Sequence, residues 1–359
     1  MNEHEVIKKI FYPLSFKKEL SLNLDDDACL LPSGKQIVVG TDSIVEGDHF
    51  QKNEKNPSLI AKKLLRVNLS DLAAMSAYPF GYTLNLSLPK KLTKNKLINW
   101  IKLFAKGLKQ DQSKYKIKLL GGDTVITNGP LVLSITLFGY KKKKITKRSD
   151  AKLYDDIYVT GNIGDSGIGY KILLKKLNLN RNLNKFYINQ HKLPNPPIEF
   201  GKKLAEFANS ATDISDGLLA DLNNIILSSK CGAKIYLENI PFTKQTKKLL
   251  SLKKIDINYL LTCGEDYQLI FTAKKDSSKK IISLGSQTFS KSYINWPAGS
   301  SPLFLTHGQG GNVWDVDGNE YVDLVCGLLP VILGYCDLDI DYAIREQLNK
   351  GISFSLATS

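Results

Sequence analysis

The sequence predicts an α/β (α+β) protein made of two consecutive α/β units and a C-terminal segment of different character. Three observations predict it. Strand-like and helix-like segments alternate twice within the first 284 residues. The run Lys141 to Lys144 separates the two alternations and reads as a surface connection. From Gly285 onward, three basic and eight acidic residues give −5, against +19 for residues 1–284. These observations predict domains over 1–140, 141–284 and 285–359, with two of the three tryptophans, Trp296 and Trp314, in the last.

In the first unit, the apolar patterning predicts a short strand over 36–39 and amphipathic helices over 58–77 and 97–110. Further strands follow over 116–120 and 131–140. In the second unit, a strand over 156–160 precedes helices over 167–177 and 217–227, and a strand over 269–273 closes the set.

Length and composition exclude several classes. At 359 residues, with 43% hydrophobic and 23% charged residues, the chain is long enough for two or three cores and is not a disordered protein. The longest nearly apolar stretch, 324–335, falls short of the ~20 residues that span a bilayer. The N-terminus lacks the pattern of a secretory signal, so the expectation is a cytoplasmic protein with no membrane partner. The net charge of +14 rests on 45 lysines and only four arginines, spread widely among Asn and Ile. Nucleic-acid surfaces cluster arginine forks with their lysines, so no nucleic-acid partner is expected. Five cysteines without a C-x-x-C pair read as free thiols in a reducing compartment.

Acidic residues recur at the ends of apolar segments. Asp26 and Asp27 precede Ala28-Cys29-Leu30-Leu31, and Asp42 ends the strand in IVVGTD. Asp71 lies three residues after Asn68 in VNLSDLAAM, on the same helix face. Asp123 follows the glycine pair in LLGGDT, Asp213 and Asp216 flank Ser215 in ATDISDGLLADL, and Glu265 and Asp266 follow Gly264. Each alone is readily a turn or cap residue. Together they are too many for caps, and converging carboxylates repel unless a cation neutralises them. Mg²⁺ takes oxygen ligands and binds polyphosphate, so a multi-Mg²⁺ nucleotide site is the expectation.

Glycines at 121, 122, 161, 164 and 167 can bring backbone N–H groups to phosphate oxygens, the second group at a helix N-terminus, although tight turns explain most such loops. No G-x-x-x-x-G-K-[ST] occurs, which excludes a P-loop enzyme. Arg148 reads either as a fork for phosphate or as an exposed surface arginine. His49 either contacts substrate phosphate or terminates a strand.

The strings DDDAC (25–29), TDSIVEGDHF (41–50), VNLSDLAAMSAYP (67–79), LLGGDT (119–124), VTGNIGDSGIGYKIL (159–173), ATDISDGLLADLNNI (211–225) and CGEDYQLIFT (263–272) resemble the thiamine-monophosphate kinase family, in order and spacing. The resemblance implies the two-domain aminoimidazole ribonucleotide synthetase-like fold. It also implies ATP-dependent phosphorylation of thiamine phosphate to thiamine diphosphate, with ATP between the domains and a homodimer through the N-terminal sheet. Carried onto this sequence, Asp27, Thr41, Asp42, Asp71, Asp123, Asp213 and Asp216 resemble Mg²⁺ ligands. Gly122, Arg148 and Ser215 resemble ATP contacts, and His49 and Glu265 resemble contacts to the acceptor. Phosphoryl transfer needs positioning and charge neutralisation more than a nucleophile, so direct transfer without a phosphoenzyme or a general base is expected.

The chain departs from the family at Asp25 and Cys263, where glycine is usual, and after residue 273, where the usual terminal α/β portion is largely absent. From about Gly285, SQTFSK, SPLFLTHGQGGNVWDVDGNEYVDL, LLPVILGY and GISFSLATS resemble the N-terminal region of class III aminotransferases, close to glutamate-1-semialdehyde aminomutase. That family's pyridoxal phosphate lysine lies beyond such a region, so the appendage is expected to bind none, and a junction of two coding sequences explains it. Two other readings stay open: a different ATP-dependent synthetase of the superfamily, and a catalytically dead nucleotide-binding product.

Overall fold

The computed structural model describes residues 3–16, 19–24, 28–52, 54–90, 94–142, 144–277, 305–315, 319–322 and 334–350. Asp25, Asp26 and Asp27, the boundary at 285, Trp296 and most of the apolar stretch 324–335 lie outside them. The chain divides into two compact units, Met1–Ser277 and Ser278–Ser359.

The first unit begins with a short helix, α1 (Glu3–Val6), and then builds a four-stranded sheet in the order β1-β4-β2-β3. Its strands are β1 (Ile37–Val45), β2 (Tyr78–Pro89), β3 (Lys118–Thr127) and β4 (Val132–Tyr140). β4 pairs antiparallel with β1 and β2, whereas β2 and β3 are parallel. A parallel pair needs a crossover, and α3 (Lys94–Tyr115) supplies it. Leu133, Ile135 and Leu137 alternate inward along β4 and are fully buried, the period-2 signature of a sheet with one core face.

Helix α2 (Pro57–Ala74) lies at the centre of the unit. Asn56 caps it by accepting the Ser58 N–H at 3.1 Å, and Pro57 occupies the first helical position, where a missing N–H costs nothing. Leu64, Leu65 and Leu69 are fully buried, because α2 packs on the sheet, on α3 and on elements of the second half.

The second half carries a three-stranded antiparallel sheet, β5-β7-β6, from β5 (Asp156–Val159), β6 (Ala208–Asp213) and β7 (Leu269–Ala273). Around it run α4 (Asp165–Leu173), α5 (Arg181–Lys192), α6 (Ile198–Leu204), α7 (Leu218–Ser229), α8 (Lys244–Ser251) and α9 (Ile257–Thr262). A buried bidentate pair, Arg66 to Asp111 at 2.6 and 3.0 Å, also donates to the Pro194 carbonyl at 2.9 Å and so ties α2 and α3 to the segment after α5. Ser76 makes a second tie, donating to the Gly201 carbonyl and accepting the Ala205 N–H.

Two strands run further than their sequence suggests. β1 continues through Thr41-Asp42-Ser43 to Val45, so Asp42 is a mid-strand residue opposite Ile135 and does not end the strand. β3 continues through Gly121-Gly122-Asp123 to Thr127. In both cases pairing with a distant strand carries the element through poor strand formers, Asp42 and Ser43 in β1 and Gly121, Gly122 and Asp123 in β3.

The second unit has a three-stranded antiparallel sheet, β8 (Leu305–Gln309), β9 (Asn312–Asp315) and β10 (Glu320–Val322), and a helix, α10 (Leu338–Lys350). The rings of His307 and Trp314 stack across β8 and β9 at 4.7 Å. Leu338, Ile340, Tyr342 and Ile344 of α10 are exposed.

Candidate active site

Asp42 and Asp71 form the first group. The N–H of Asp42 donates to Asn68 Oδ1 at 2.9 Å, which locks β1 to α2. Asp71, one turn along α2, brings its carboxyl into a hydrogen bond with that of Asp42. Burial pushes the Asp71 carboxyl up to about 8, with Asp213 and Asp42 adding repulsion and Arg148 partly offsetting it. Asp213, at the end of β6, is buried and rises to about 6, mainly through burial. Asp216 also acts on Asp42 through its charge. A carboxyl pair that shares a hydrogen bond holds a proton that neither member keeps in water.

Asp42, Asp71 and Asp213 therefore fit a hard divalent cation in the chemistry of their donors, since a cation replaces the proton and cancels the repulsion. Among the described residues no three His, Cys, Asp or Glu side chains form a ready-made metal cage. Arg148 is exposed, its Nε donates to Thr212 Oγ1 at 3.1 Å, and its charge acts on Asp71.

The remaining proposed ligands lie elsewhere. Register places Asp42 level with Ile135, Leu84 and Gly122, and Asp123 level with Asn85 and Ser134. Asp42 and Asp123 are therefore on opposite edges of the sheet, three strand spacings or roughly 14 Å apart, and one residue out of phase. Thr41 is likewise out of phase with Asp42, and its hydroxyl donates to the Ile135 carbonyl at 2.9 Å. Asp123 borders a cavity of about 480 Å³ lined also by Leu24, Ala28, Gly121 and Gly122. A Cβ on Gly122 would lie 1.9 Å from the Leu84 carbonyl oxygen, so only glycine lets β3 approach β2 there.

The loop after β6 is organised by a residue the motif reading passed over. Asp221 Oδ2 accepts the N–H groups of Ser215, Asp216 and Gly217 at 2.9, 2.9 and 3.2 Å. Ser215 thus has its N–H committed internally and offers a ligand its hydroxyl. The spacing from Asp216 to Asp221, just into helix α7, was the available signal, and one more Asp in an acidic stretch carried little weight.

The glycine loop before α4 does not have the form expected of a phosphate cradle. Asp266 fills it: Oδ2 accepts the Gly164 N–H at 2.8 Å and Oδ1 the Ser166 N–H at 3.4 Å. A protein carboxyl thus occupies the helix N-terminus that was available to an anion. The glycines serve close packing instead. A Cβ on Gly167 would lie 2.3 Å from Cys263 Sγ, and one on Gly161 would lie 2.4 Å from Gln268 Oε1. Cys263 packs in the space that the missing Gly167 side chain leaves, and burial pushes its thiol up to about 12.

Glu265 and His49 form the second group. Glu265 Oε2 accepts from Lys63 Nζ at 2.6 Å and lies 3.2 Å from His191 Nδ1. His49 accepts the Val45 N–H on Nδ1 at 3.3 Å, which leaves Nε2 as its protonated nitrogen. Burial, with Lys63 and Lys192, holds His191 down at about 3, so its ring is neutral. Ser166 Oγ and Glu265 both approach the same nitrogen, His191 Nδ1, at 3.2 Å, which rules out a Ser-His-Glu relay, where the partners engage opposite nitrogens. Beside this group a cavity of about 60 Å³ is lined by His49, Phe50, Ile60, Tyr170 and His191, among others.

The two groups meet along one backbone contact. Glu265 and Tyr267 both have positive φ, 68° and 49°, and their N–H groups donate to Ser215 and Ile214 carbonyls at 2.7 and 2.8 Å. Strained non-glycine backbone held by neighbouring hydrogen bonds is a mark of functional loops. Burial, and then the charges of Glu265, Asp213, Asp42 and Asp71, raise the buried Tyr267 phenol, a residue that sequence reading missed.

Residues 24–140 match the family model for the AIR synthase related protein, N-terminal domain, and 155–287 that for its C-terminal domain. Residues 293–359 match aminotransferase class-III. The thiamine-monophosphate kinase of Buchnera aphidicola subsp. Schizaphis graminum is 41% identical over 287 residues, 78% of this chain and 85% of that protein. The crystal structure of thiamine-monophosphate kinase from Stenotrophomonas maltophilia superposes with a TM-score of 0.68 at 33% identity, covering 79% of this chain and 90% of that one. The structure of AaThiL complexed with AMPPCP and TMP superposes with a TM-score of 0.63 at 30% identity, covering 70% and 80%.

Proposed function

Because this chain belongs to the thiamine-monophosphate kinase family, we propose that it transfers the γ-phosphoryl group of ATP directly to the phosphate of thiamine phosphate. A phosphate oxygen of the acceptor attacks Pγ, the bond from Pγ to the β,γ-bridging oxygen breaks, and thiamine diphosphate and ADP leave. The acceptor oxygen is already anionic at neutral pH, so no residue has to remove a proton.

Asp42, Asp71, Asp213 and Asp216 would hold Mg²⁺ on one side of the site, with Thr41, Asp123 and Asp27 completing the set. Bound Mg²⁺ neutralises phosphate charge. Arg148 supplies a fixed positive charge beside the cluster, and the Ser215 hydroxyl and the close approach at Gly122 serve the nucleotide. His49 Nε2–H suits an anionic oxygen of the acceptor, and Glu265 its cationic ring. The observation that supports this reading is the backbone contact between the Glu265 and Ser215 loops, which brings Glu265 next to the carboxylate cluster.

The separation of Asp42 from Asp123 across the sheet also supports a homodimer in which a second copy's Asp123 closes the metal set. Exposed Val39 on the β1 edge, at 55%, and Ile126 on β3, at 56%, would be covered in such a dimer. Domains over 1–140 and 141–284, with 285–359 as an appendage without pyridoxal phosphate, complete the proposal. Among the described residues no helix is long and apolar enough to cross a membrane.

The test is turnover by the purified full chain. Thiamine diphosphate and ADP formed in equal amounts from thiamine phosphate and ATP, dependent on Mg²⁺, are the expected products. ATP binding without product, or turnover only with aminoimidazole precursors, would overturn the assignment.

A further inference from the structure

Lys63 is almost wholly inside the protein, its side chain 3% exposed, midway along α2. Lysine is seldom buried to that degree unless its charge is answered. Its Nζ donates to Glu265 Oε2 at 2.6 Å and to the His49 carbonyl at 2.8 Å. These are the two residues proposed for the acceptor, one following β1 and the other 202 residues from Lys63 in the loop before β7.

Among the described residues no other lysine or arginine forms an ion pair with Glu265. His191 also touches Glu265 Oε2, but its ring is neutral, so the charge of Glu265 is balanced by Lys63. Glu265 Oε1 makes no hydrogen bond among the described residues, and with the side chain 22% exposed it remains open to a ligand. One carboxylate oxygen is thus anchored and the other is presented. The same ammonium fixes the backbone that carries the His49 ring, whose Nδ1 is already committed to Val45. Lys63 makes no hydrogen bond or ion pair with the Asp42, Asp71, Asp213 and Asp216 cluster.

We infer that Lys63 is the positioning residue of the acceptor side: by bonding Glu265 and His49 together it sets the affinity and selectivity for thiamine phosphate without serving ATP. The inference rests on the proposed kinase activity and deepens it. Loss of the ammonium leaves a half-buried carboxylate without its counter-charge and the His49 carbonyl without its donor, so both acceptor groups relax. A lysine that only stabilised the fold would affect both substrates alike.

The experiment is steady-state kinetics of the full chain as wild type, Lys63→Met, Lys63→Arg, Glu265→Gln and the Lys63→Met/Glu265→Gln double variant. Lys63→Met is expected to raise the KM for thiamine phosphate tenfold or more and to leave the KM for ATP within twofold. Lys63→Arg, which keeps charge and donors, should recover most of the loss. The double variant should fall well short of the product of the two single effects, because both act through one contact. An unchanged acceptor KM, or equal shifts for both substrates, overturns the inference while leaving the kinase assignment intact. If Lys63→Met does not fold, the same split in Lys63→Gln, which also removes the ammonium, decides. A wild-type chain that forms no thiamine diphosphate overturns the assignment and this inference together.

Discussion

Glu265 donates its backbone N–H to the Ser215 carbonyl at 2.7 Å, so the Glu265 loop and the loop of the carboxylate cluster are adjacent by construction. A Cβ at Gly264 would lie 2.1 Å from that same carbonyl oxygen, so the approach depends on glycine there. A shift of one loop therefore moves the other.

Asp71→Asn keeps the shape and removes the carboxyl whose proton a cation would replace. Turnover should fall by about 10² or more. Mg²⁺ should raise the Tm of the wild type and not of the variant, while in EDTA the variant should melt no lower than the wild type. Turnover near normal would remove Asp71 from the metal set.

Asp221→Ala strips the loop at 215–217 of the acceptor for three N–H groups. Denaturant unfolding should show a loss of about 3 kcal/mol, the scale of charge-assisted bonds left unmade. The KM for ATP should rise more than that for thiamine phosphate. Asp221→Asn keeps an acceptor oxygen and should lie between the two.

Asp111→Ala leaves the Arg66 guanidinium buried without its carboxylate, and about 3–5 kcal/mol of stability should be lost. Arg66→Met/Asp111→Leu removes both charges and should recover much of it. Equal stability of Asp111→Ala and wild type in urea would show the pair to be idle.

Cys263, with its thiol pushed up to about 12 by burial, carries almost no thiolate at pH 8. Exposed Cys336 should react with a thiol-specific reagent at that pH well before Cys263 does. Raising the pH toward 12 increases the thiolate fraction, so the reactivity of Cys263 should increase with it. Rapid labelling of Cys263 at pH 8, located by peptide mapping, would contradict the raised thiol.

A chain ending at Ser277 contains the whole first compact unit. Its kcat/KM should match that of the full chain within about twofold. The full chain mixed with pyridoxal phosphate should show no absorbance band that borohydride fixes to 278–359.

The sequence made the carboxylates legible because acidic residues beside apolar segments conflict with burial, and β7 was read to the residue because five apolar or β-branched positions follow one another. The ends of β1 and β3 were not legible. Thr41-Asp42-Ser43 and Gly121-Gly122 look like turns until their pairing with β4 and β2 is known. The glycine loop misled for the same reason, since the carboxyl that fills it, Asp266, comes about 100 residues later. Lys63 was invisible among 45 lysines, and only its depth and its two partners single it out.

Burial of α2 from both sides bears on how the chain is made. The sheet covers one flank early, but Gly201, which would place a Cβ 2.7 Å from Ala73, is translated roughly 130 residues later. At about 5–20 residues per second, the uncovered flank waits on the order of ten seconds for its partner. During synthesis, the hazard of mispairing or chaperone capture therefore concentrates on one helix, and a slower ribosome lengthens that exposure.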